Sequence, residues 1–419
     1  MTTPRAMTDR PNIVLVFMDD MGYGDMGCFG GTVVQTPRMN QIAERGIKFR
    51  HMYSSSSTCT PSRASLLTGR YAQRVGLPRV LFPHEGEGLS AWERALPELL
   101  RDRGYRTAMY GKWHLGSRPE HNPVRHGFDE FVGLLYSNDM DPVHLYEGEK
   151  VVETEVDQAW ITKLYTDRAI EFIERNAAEP FFVYLAHTMP HIPLHVEPGF
   201  RGTSKGGTYG DTTECIDSHL GRILDCISDR GLIEHTLVMV TSDNGPWFEG
   251  STGGLRGRKI ETWEGGLRMP FVAQWPGQIP PGISCDEPAC LIDLLPTLST
   301  LAGETVPADR PIDGIDIGPA LRGEPMPARE ALCFFQYWNL NAVRSGRWKL
   351  HVSRHGHPYP DARELPQLFD LELDPTESYN VANREPEVLA TLTGLAERFA
   401  SEIAGQRREA EGRAAGRIA

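Results

Sequence analysis

At 419 residues the chain exceeds the usual size of a single hydrophobic core, so one large domain with a smaller appendage, or two comparable domains, is expected. Its 43 Lys and Arg against 56 Asp and Glu give a net charge of −13, which argues against nucleic acid or an anionic membrane as the main partner. The opening MTTPRAMTDRPN has no apolar core of signal-peptide length, and no other stretch is apolar for long enough to cross a bilayer, so a cytoplasmic protein without a membrane partner is expected. Cysteines at 28, 59, 215, 226, 285, 290 and 333 form an odd set with no CxxC pair. That fits a reducing compartment better than a disulfide framework, and it makes a thiolate zinc site a poor expectation.

Ile13 to Phe17 is a continuous apolar run rich in β-branched residues, the mark of a strand buried on both faces of a mostly parallel sheet, and it ends in Asp19-Asp20. Cys59 to Arg70 reads CTPSRASLLTGR, with Thr60 as a helix N-cap and Pro61 as the first helical residue. Cys59 then sits where unpaired N–H groups and the positive end of the helix dipole collect an anion. Ala95 to Arg103 reads as a helix closed by Gly104, followed by a short strand through Tyr110 and by Gly111-Lys112-Trp113-His114. Thr162 to Asn176 is an amphipathic helix, and Phe181 to Ala186 a strand running into His187-Thr188-Met189-Pro190-His191. Cys215 to Ser228 is a further helix. Leu237 to Val240 repeats the design of the first strand and ends in Ser242-Asp243-Asn244-Gly245. Asp293 to Leu301 is helical. The alternation is α/β: a large mixed, mostly parallel sheet flanked by helices. Beyond the Gly- and Pro-rich link Gly314 to Pro327, Leu332 to Trp338, Ala342 to Arg344 and Trp348 to Val352 read as short antiparallel strands of a smaller α+β domain. Glu385 to Ile403 is its terminal helix, trailed by a basic, loose tail. The expected division is 10–327 and 328–419.

Two strands thus deliver oxygen groups at their carboxyl ends, where ligands of open α/β sheets bind. Asp19, Asp20, Asp243 and Asn244 form a hard-oxygen set suited to one Ca²⁺ or Mg²⁺. Taken alone, each acid pair reads as a turn or cap, Cys59 as a small buried hydrophobe, and Lys112 as a solvated charge beside a packed His114.

Taken together, the C-x-P-S-R and T-G-R elements at 59–70 resemble those of type I sulfatases of the alkaline phosphatase superfamily, and the similarity runs from about Asn12 to Asn380. The resemblance implies that Cys59 is converted to formylglycine by a formylglycine-generating enzyme. It also implies that Asp19, Asp20, Asp243 and Asn244 bind a divalent cation, calcium by preference. Asp243 would take the nucleophile's proton, and Arg63 would fix the aldehyde hydrate, a task for an always-charged fork. Lys112 and His114 match a K-x-H pair in which lysine bridges residue 59 and sulfate while histidine accepts the proton that releases sulfate. His191 matches a sulfate-contacting histidine, with His187, four residues earlier, the less favoured candidate. Lys259, ahead of Trp263-Glu264-Gly265-Gly266, would join His191 at the leaving oxygen, although Arg258-Lys259-Ile260 replaces the more usual Gly-Lys-Gly context. The implied reaction is hydrolysis of sulfate monoesters, arylsulfatase-like because no basic cluster suits a polyanion. The alternatives are a phosphonate or phosphate ester hydrolase of the same superfamily, and a catalytically silent anion-binding protein. Specificity is expected from Leu81 to His84, Tyr136 to His144, Trp247-Phe248 and Trp338. Oligomeric state is not legible.

Overall fold

The computed structural model describes residues 10–358 and 363–418. Residues 1–9, most of the opening segment read for targeting, lie outside them. Eleven strands form the large sheet: β1 (Asn12–Met18), β2 (Ile47–Tyr53), β3 (Arg106–Lys112), β4 (Glu130–Leu134), β5 (Leu145–Glu147), β6 (Lys150–Glu153), β7 (Phe181–Ala186), β8 (Thr236–Ser242), β9 (Arg268–Gln274), β10 (Ile283–Cys285) and β11 (Ala289–Cys290). Their order is β10-β2-β9-β8-β1-β7-β3-β4-β5-β6, with β11 also pairing with β2. The block β8-β1-β7-β3-β4 is parallel throughout. Antiparallel pairings enter at β9, β5 and β6.

The apolar run of β1 is explained by what covers it. Ile13, Leu15 and Phe17 enter one core, packed with Leu66, Leu67, Leu99 and Leu294 of the helices Cys59–Thr68, Leu96–Asp102 and Leu294–Leu301. Val14, Val16 and Met18 enter the other, packed with Tyr165 and Ala169 of Ile161–Arg175 and with Ile216 and Leu220 of Gly207–Asp229. A strand with an apolar layer on each side carries no alternation. The large, mostly parallel sheet with helices on both faces agrees with the α/β expectation.

A second, four-stranded antiparallel sheet follows: β12 (Leu332–Gln336), β13 (Asn339–Ser345), β14 (Trp348–His351) and β15 (Gln367–Asp370), paired in chain order. The helix Pro386–Ala414 packs on β13 and β14. This corrects the loose-tail expectation, since the helix runs eleven residues past Ile403. Small residues dock its end: Ala410 and Ala414 are buried against Gly76, and Arg413 stacks on Trp92 at 3.4 Å.

Three other local expectations shift. The helix read from Cys215 begins at Gly207, its polar first turns being held by Thr212 and Thr213 hydroxyls donating to carbonyls four residues back. The link before the small sheet contains a short helix, Gly318–Leu321. The helix carrying Cys59 starts at Cys59 itself, with Thr58 in the N-cap position. Thr60 is therefore inside the first turn, and its hydroxyl donates to His114 O at 2.9 Å instead of capping. Among the described residues no helix is long and apolar enough to cross a membrane.

Candidate active site

Parallel register gathers the site. Met18 of β1 pairs with Ser242 of β8, Phe17 with Ala186 of β7, and Gly111 of β3 with the same Ala186. Asp19, Asp243, Lys112 and the loop leading to His191 therefore leave four neighbouring strands at one edge. The helix Cys59–Thr68 points its amino end at that edge. Asp243 N donates to Met18 O at 3.1 Å, Asp20 N donates to Asp243 Oδ1 at 3.1 Å, and Ser62 Oγ donates to Asp243 O.

Asp20 takes a left-handed conformation, φ 65°, which an aspartate tolerates better than most residues. Its Oδ1 accepts from Asn244 Nδ2 at 2.7 Å and its Oδ2 from Lys259 Nζ at 2.7 Å, with His191 Nε2 3.7 Å away. Asp19 Oδ2 accepts from Lys112 Nζ at 2.6 Å, while Asp19 Oδ1 lies 3.7 Å from Cys59 Sγ and 3.6 Å from Arg63 Nη2. Arg63 forks between Asp243 Oδ2 at 2.9 Å and Lys112 O at 2.8 Å. All ten sequence-derived site residues are thus brought into one constellation. His187 is set apart: it is buried, its imidazole pushed down to about 3 by burial and then by His219, and it does not line the cavity described below.

The electrostatics suit a buried cation. Burial alone would raise Asp19, but Lys112, His191 and Arg63 hold it well below the usual carboxylate range. Asp243 is pushed up to about 7 by burial and by the charge of Asp19, against Arg63. One of these carboxylates keeps its charge only under strain, which a divalent ion would relieve. Asn244 Oδ1 is buried without a partner, a hard acceptor left over by the protein's own hydrogen bonds. Ligand atoms of Asp19, Asp20, Cys59 and His191 lie within 4.8 Å of one another. The oxygen atoms of Asp19, Asp20, Asp243 and Asn244 fit a hard divalent cation.

Burial pushes the Cys59 thiol up to about 12 despite Lys112 and Lys259, so an unmodified thiol here is a poor nucleophile at neutral pH. His114 is held well below its ordinary value by burial and then by Lys112. Its Nε2 donates to Leu81 O at 3.0 Å, which leaves Nδ1 as a bare buried acceptor. The expected shared face of Lys112 and His114 needs correcting. β3 ends at Lys112 and His114 adopts φ 60°, so the two side chains reach the site by a turn, not by strand alternation. His191 is also lowered, by burial and then by Lys259, and its Nδ1 donates to Ile192 O. Lys259 is kept charged mainly by Asp20 against burial.

Two glycines set the approach of Asn244. Gly245 N donates to Gly266 O at 2.9 Å, and a Cβ on Gly245 would stand 2.0 Å from Gly265 O. A Cβ on Gly266 would stand 2.0 Å from Glu261 O. The Trp263-Glu264-Gly265-Gly266 turn is a docking surface for the metal-side loop.

A cavity of about 380 Å³ opens from Cys59, His114, His191 and Lys259 and is lined farther out by Arg79, Phe82, Asp139, Met140, Gln336 and Tyr337. The stretches 81–84 and 136–144 contribute as expected. Trp247, Phe248 and Trp338 do not line it. Phe248 instead lies 5.4 Å from the Arg258 guanidinium, and Trp338 lines a separate groove on the small sheet, with Arg407 4.9 Å from its ring. Sequence reasoning missed Ser137 as a partner of Lys112 Nζ at 3.1 Å, and it missed Tyr337. Neither carries a motif.

A second set, Glu197, Cys215 and His219, also clusters. There His219 Nε2 pairs with Glu197 Oε1, and Arg222 Nη1 donates to Nδ1 at 3.0 Å. An arginine donor on the far ring nitrogen is the reverse of what a metal-bound imidazole requires, so this set is a hydrogen-bonded support.

The Sulfatase family model matches residues 11–304, and one described as N-sulphoglucosamine sulphohydrolase, C-terminal, matches residues 258–404. The chain is 38% identical to arylsulfatase A of Homo sapiens over 93% of this chain and 88% of that protein. It is 36% identical to N-acetylgalactosamine-6-sulfatase of Canis lupus familiaris over 91% and 84% respectively. Its fold matches the crystal structure of the PsFucS1 sulfatase from Pseudoalteromonas sp. with a TM-score of 0.86 at 26% identity, covering 95% of this chain and 91% of that one.

Proposed function

The chain belongs to the sulfatase family and is a sulfuric ester hydrolase, and from that premise we propose that it cleaves aryl sulfate monoesters through residue 59, matured from cysteine to formylglycine in a cytoplasmic setting. The observation that carries the reading is the position of Cys59, at a helix start, between Lys112, Lys259, His114 and the four metal-side residues. The high thiol pKa supports oxidation over thiolate chemistry. The seven unpaired cysteines support a reducing compartment.

A hydrated aldehyde offers two hydroxyl groups on one carbon. One forms the new bond to sulfur as the ester S–O bond breaks. Deprotonating the other re-forms the carbonyl as sulfate departs, which makes the slow step of covalent catalysis intramolecular. Asp243, beside Arg63, takes the first proton and His114 Nδ1 the second, a reading supported by the Arg63–Asp243 contact and by the unpartnered Nδ1. Arg63 holds the hydrate. Lys112 spans residue 59 and the sulfate. Lys259, charged and reaching the cavity, carries the proton for the leaving oxygen, while His191, neutral and donating through Nδ1, contacts the sulfate. Held by Asp19, Asp20, Asp243 and Asn244, a divalent cation, Ca²⁺ by preference, would offset charge on the sulfuryl oxygens.

Turnover of nitrophenyl sulfate, nitrophenyl phosphate and phenylphosphonate tests the reaction class, combined with mass spectrometry of the residue 59 peptide. Sulfate must be the best of the three, with residue 59 lighter than cysteine. Unaltered sulfate hydrolysis by Cys59→Ala would remove this residue from the mechanism.

A further inference from the structure

The hairpin joining β12 to β13 has a two-residue turn, Tyr337-Trp338, because Gln336 pairs with Asn339. Its first turn position has φ 54°. Hairpins normally place glycine, asparagine or aspartate there, since a bulky side chain is strained at positive φ. A tyrosine in that state is strained and persists only where its surroundings over-determine it. The surroundings hold it firmly: Gln73 Nε2 donates to Tyr337 O at 2.7 Å, the His355 ring lies 5.7 Å away edge-on, and Ser56 bridges to Phe335 just upstream. This brings the small sheet's turn to the same cavity as Cys59, where Tyr337 is 43% exposed and Phe82 is 52% exposed.

The charge around that outer wall narrows what the rings can receive. Its cation, Arg79, is already committed, with Nη1 on Glu85 at 2.6 Å and Nη2 on Glu87 at 2.6 Å. Asp139 adds a negative charge, and Met140 and Ile260 add apolar surface. A second sulfate or a carboxylate on the leaving group would meet Asp139 and an arginine already paired with two glutamates.

We propose that Tyr337, with Phe82, forms a leaving-group subsite for a flat, uncharged aromatic group, and that Tyr337 is a specificity-determining residue contributed by the small sheet. This rests on reading the chain as a sulfate ester hydrolase acting through residue 59. Tyr337 contacts the part of the ester that departs, so its effect falls on substrate affinity and not on the anion pocket.

The test compares wild type, Tyr337→Phe and Tyr337→Gly on 4-nitrophenyl sulfate, with inorganic sulfate as a competitive inhibitor. Glycine accepts the positive φ without strain, so Tyr337→Gly keeps the hairpin. Loss of one aromatic stack predicts a KM raised roughly tenfold in Tyr337→Gly, a kcat little changed, and an unchanged inhibition constant for sulfate. Tyr337→Phe retains the wild-type KM. An unchanged KM in Tyr337→Gly overturns the subsite, and so does a sulfate inhibition constant that rises in parallel, which would mark a purely structural role. A wild-type protein that turns over no sulfate ester overturns the hydrolase reading itself, and the subsite with it.

Discussion

Arg63 and Asp243, 180 residues apart, form a fully buried pair with Nη2 2.9 Å from Oδ2. The guanidinium also lies 5.3 Å from the centre of the Phe17 ring and donates to Lys112 O. It ties the ends of β1, β3 and β8 to the helix carrying Cys59.

Replacing this arginine separates charge from geometry. Arg63→Lys keeps the charge but replaces the planar two-nitrogen fork on Asp243 Oδ2 and Lys112 O with one nitrogen, so kcat/KM should fall by about 10²-fold or more, the typical cost of losing one organising donor. Arg63→Ala strips Asp243 of its ion-pair partner, while Asp19 keeps Lys112, and should lose about 3–5 kcal/mol of stability. Thermal unfolding and steady-state kinetics check both. A lysine variant of wild-type activity would show that the fork is not required.

How much of this was legible in the sequence depends on whether the signal is local. Asp19-Asp20 and Asp243-Asn244 stood out because each follows a run buried on both faces, whereas Lys259 was legible only through its family-like register ahead of Trp263-Glu264-Gly265-Gly266. Tyr337 lies one position from the expected Trp338: neighbours in a two-residue turn point to different places, and only the turn's register decides which enters the cavity. Thr60 was misassigned because its hydroxyl has a distant partner, the His114 carbonyl. The docked end of the last helix escaped notice because it is held by close backbone approach at Gly76, which leaves no apolar stripe in a charged stretch.

Removal of divalent ions should be visible without any substrate. Asp243 is pushed up to about 7 by burial and by Asp19, so a cation bound only by the native state relieves that cost. Saturation at 100 times Kd contributes about 2.7 kcal/mol. Chelator-treated protein should unfold a few degrees lower, with Ca²⁺ restoring the transition. If neither Ca²⁺ nor Mg²⁺ shifts it, the hard-cation reading of Asp19, Asp20, Asp243 and Asn244 is wrong.

Part of the stability should be lost in acid through His126, which stacks on Trp113 with ring centres 5.9 Å apart and is pushed down to about 4 by burial. Its unfolded value is about 6.5. Between those values the unfolded chain binds more protons than the folded one, so stability is lost as pH falls from 6.5 toward 4. At pH 5 this one group should account for about 2 kcal/mol relative to pH 7. His126→Phe keeps the stack and removes the proton site, so its loss of stability between pH 7 and pH 5 should be smaller by about that amount in denaturant titrations. Equal losses in the two proteins would assign the acid sensitivity elsewhere.

The two sheets are locked together by a buried charge network whose disruption should reach the catalytic edge. Lys349 Nζ donates to Glu264 Oε1 at 2.9 Å and lies 3.0 Å from Glu377 Oε1, and all three side chains are fully buried. Glu264 also accepts from Tyr53, and its backbone N donates to Glu377 Oε2 at 2.6 Å. Burial would raise Glu264, but Lys349, Arg344 and Arg268 bring it down to about 2. Lys349→Met removes the central cation and leaves two carboxylates in the interior, which should cost about 3–5 kcal/mol. Adding Glu264→Gln should restore part of that loss, because the second change removes one of the stranded charges, and the shortfall from additivity measures the coupling. Glu264 opens the turn whose Gly266 carbonyl receives Gly245 N, next to Asn244. The single variant should therefore also weaken the stabilisation by calcium, a readout that simple loss of packing in the small sheet would leave unchanged. If Lys349→Met unfolds at the wild-type temperature, or loses stability with its calcium response intact, the network is not the link between the small sheet and the metal-side loop.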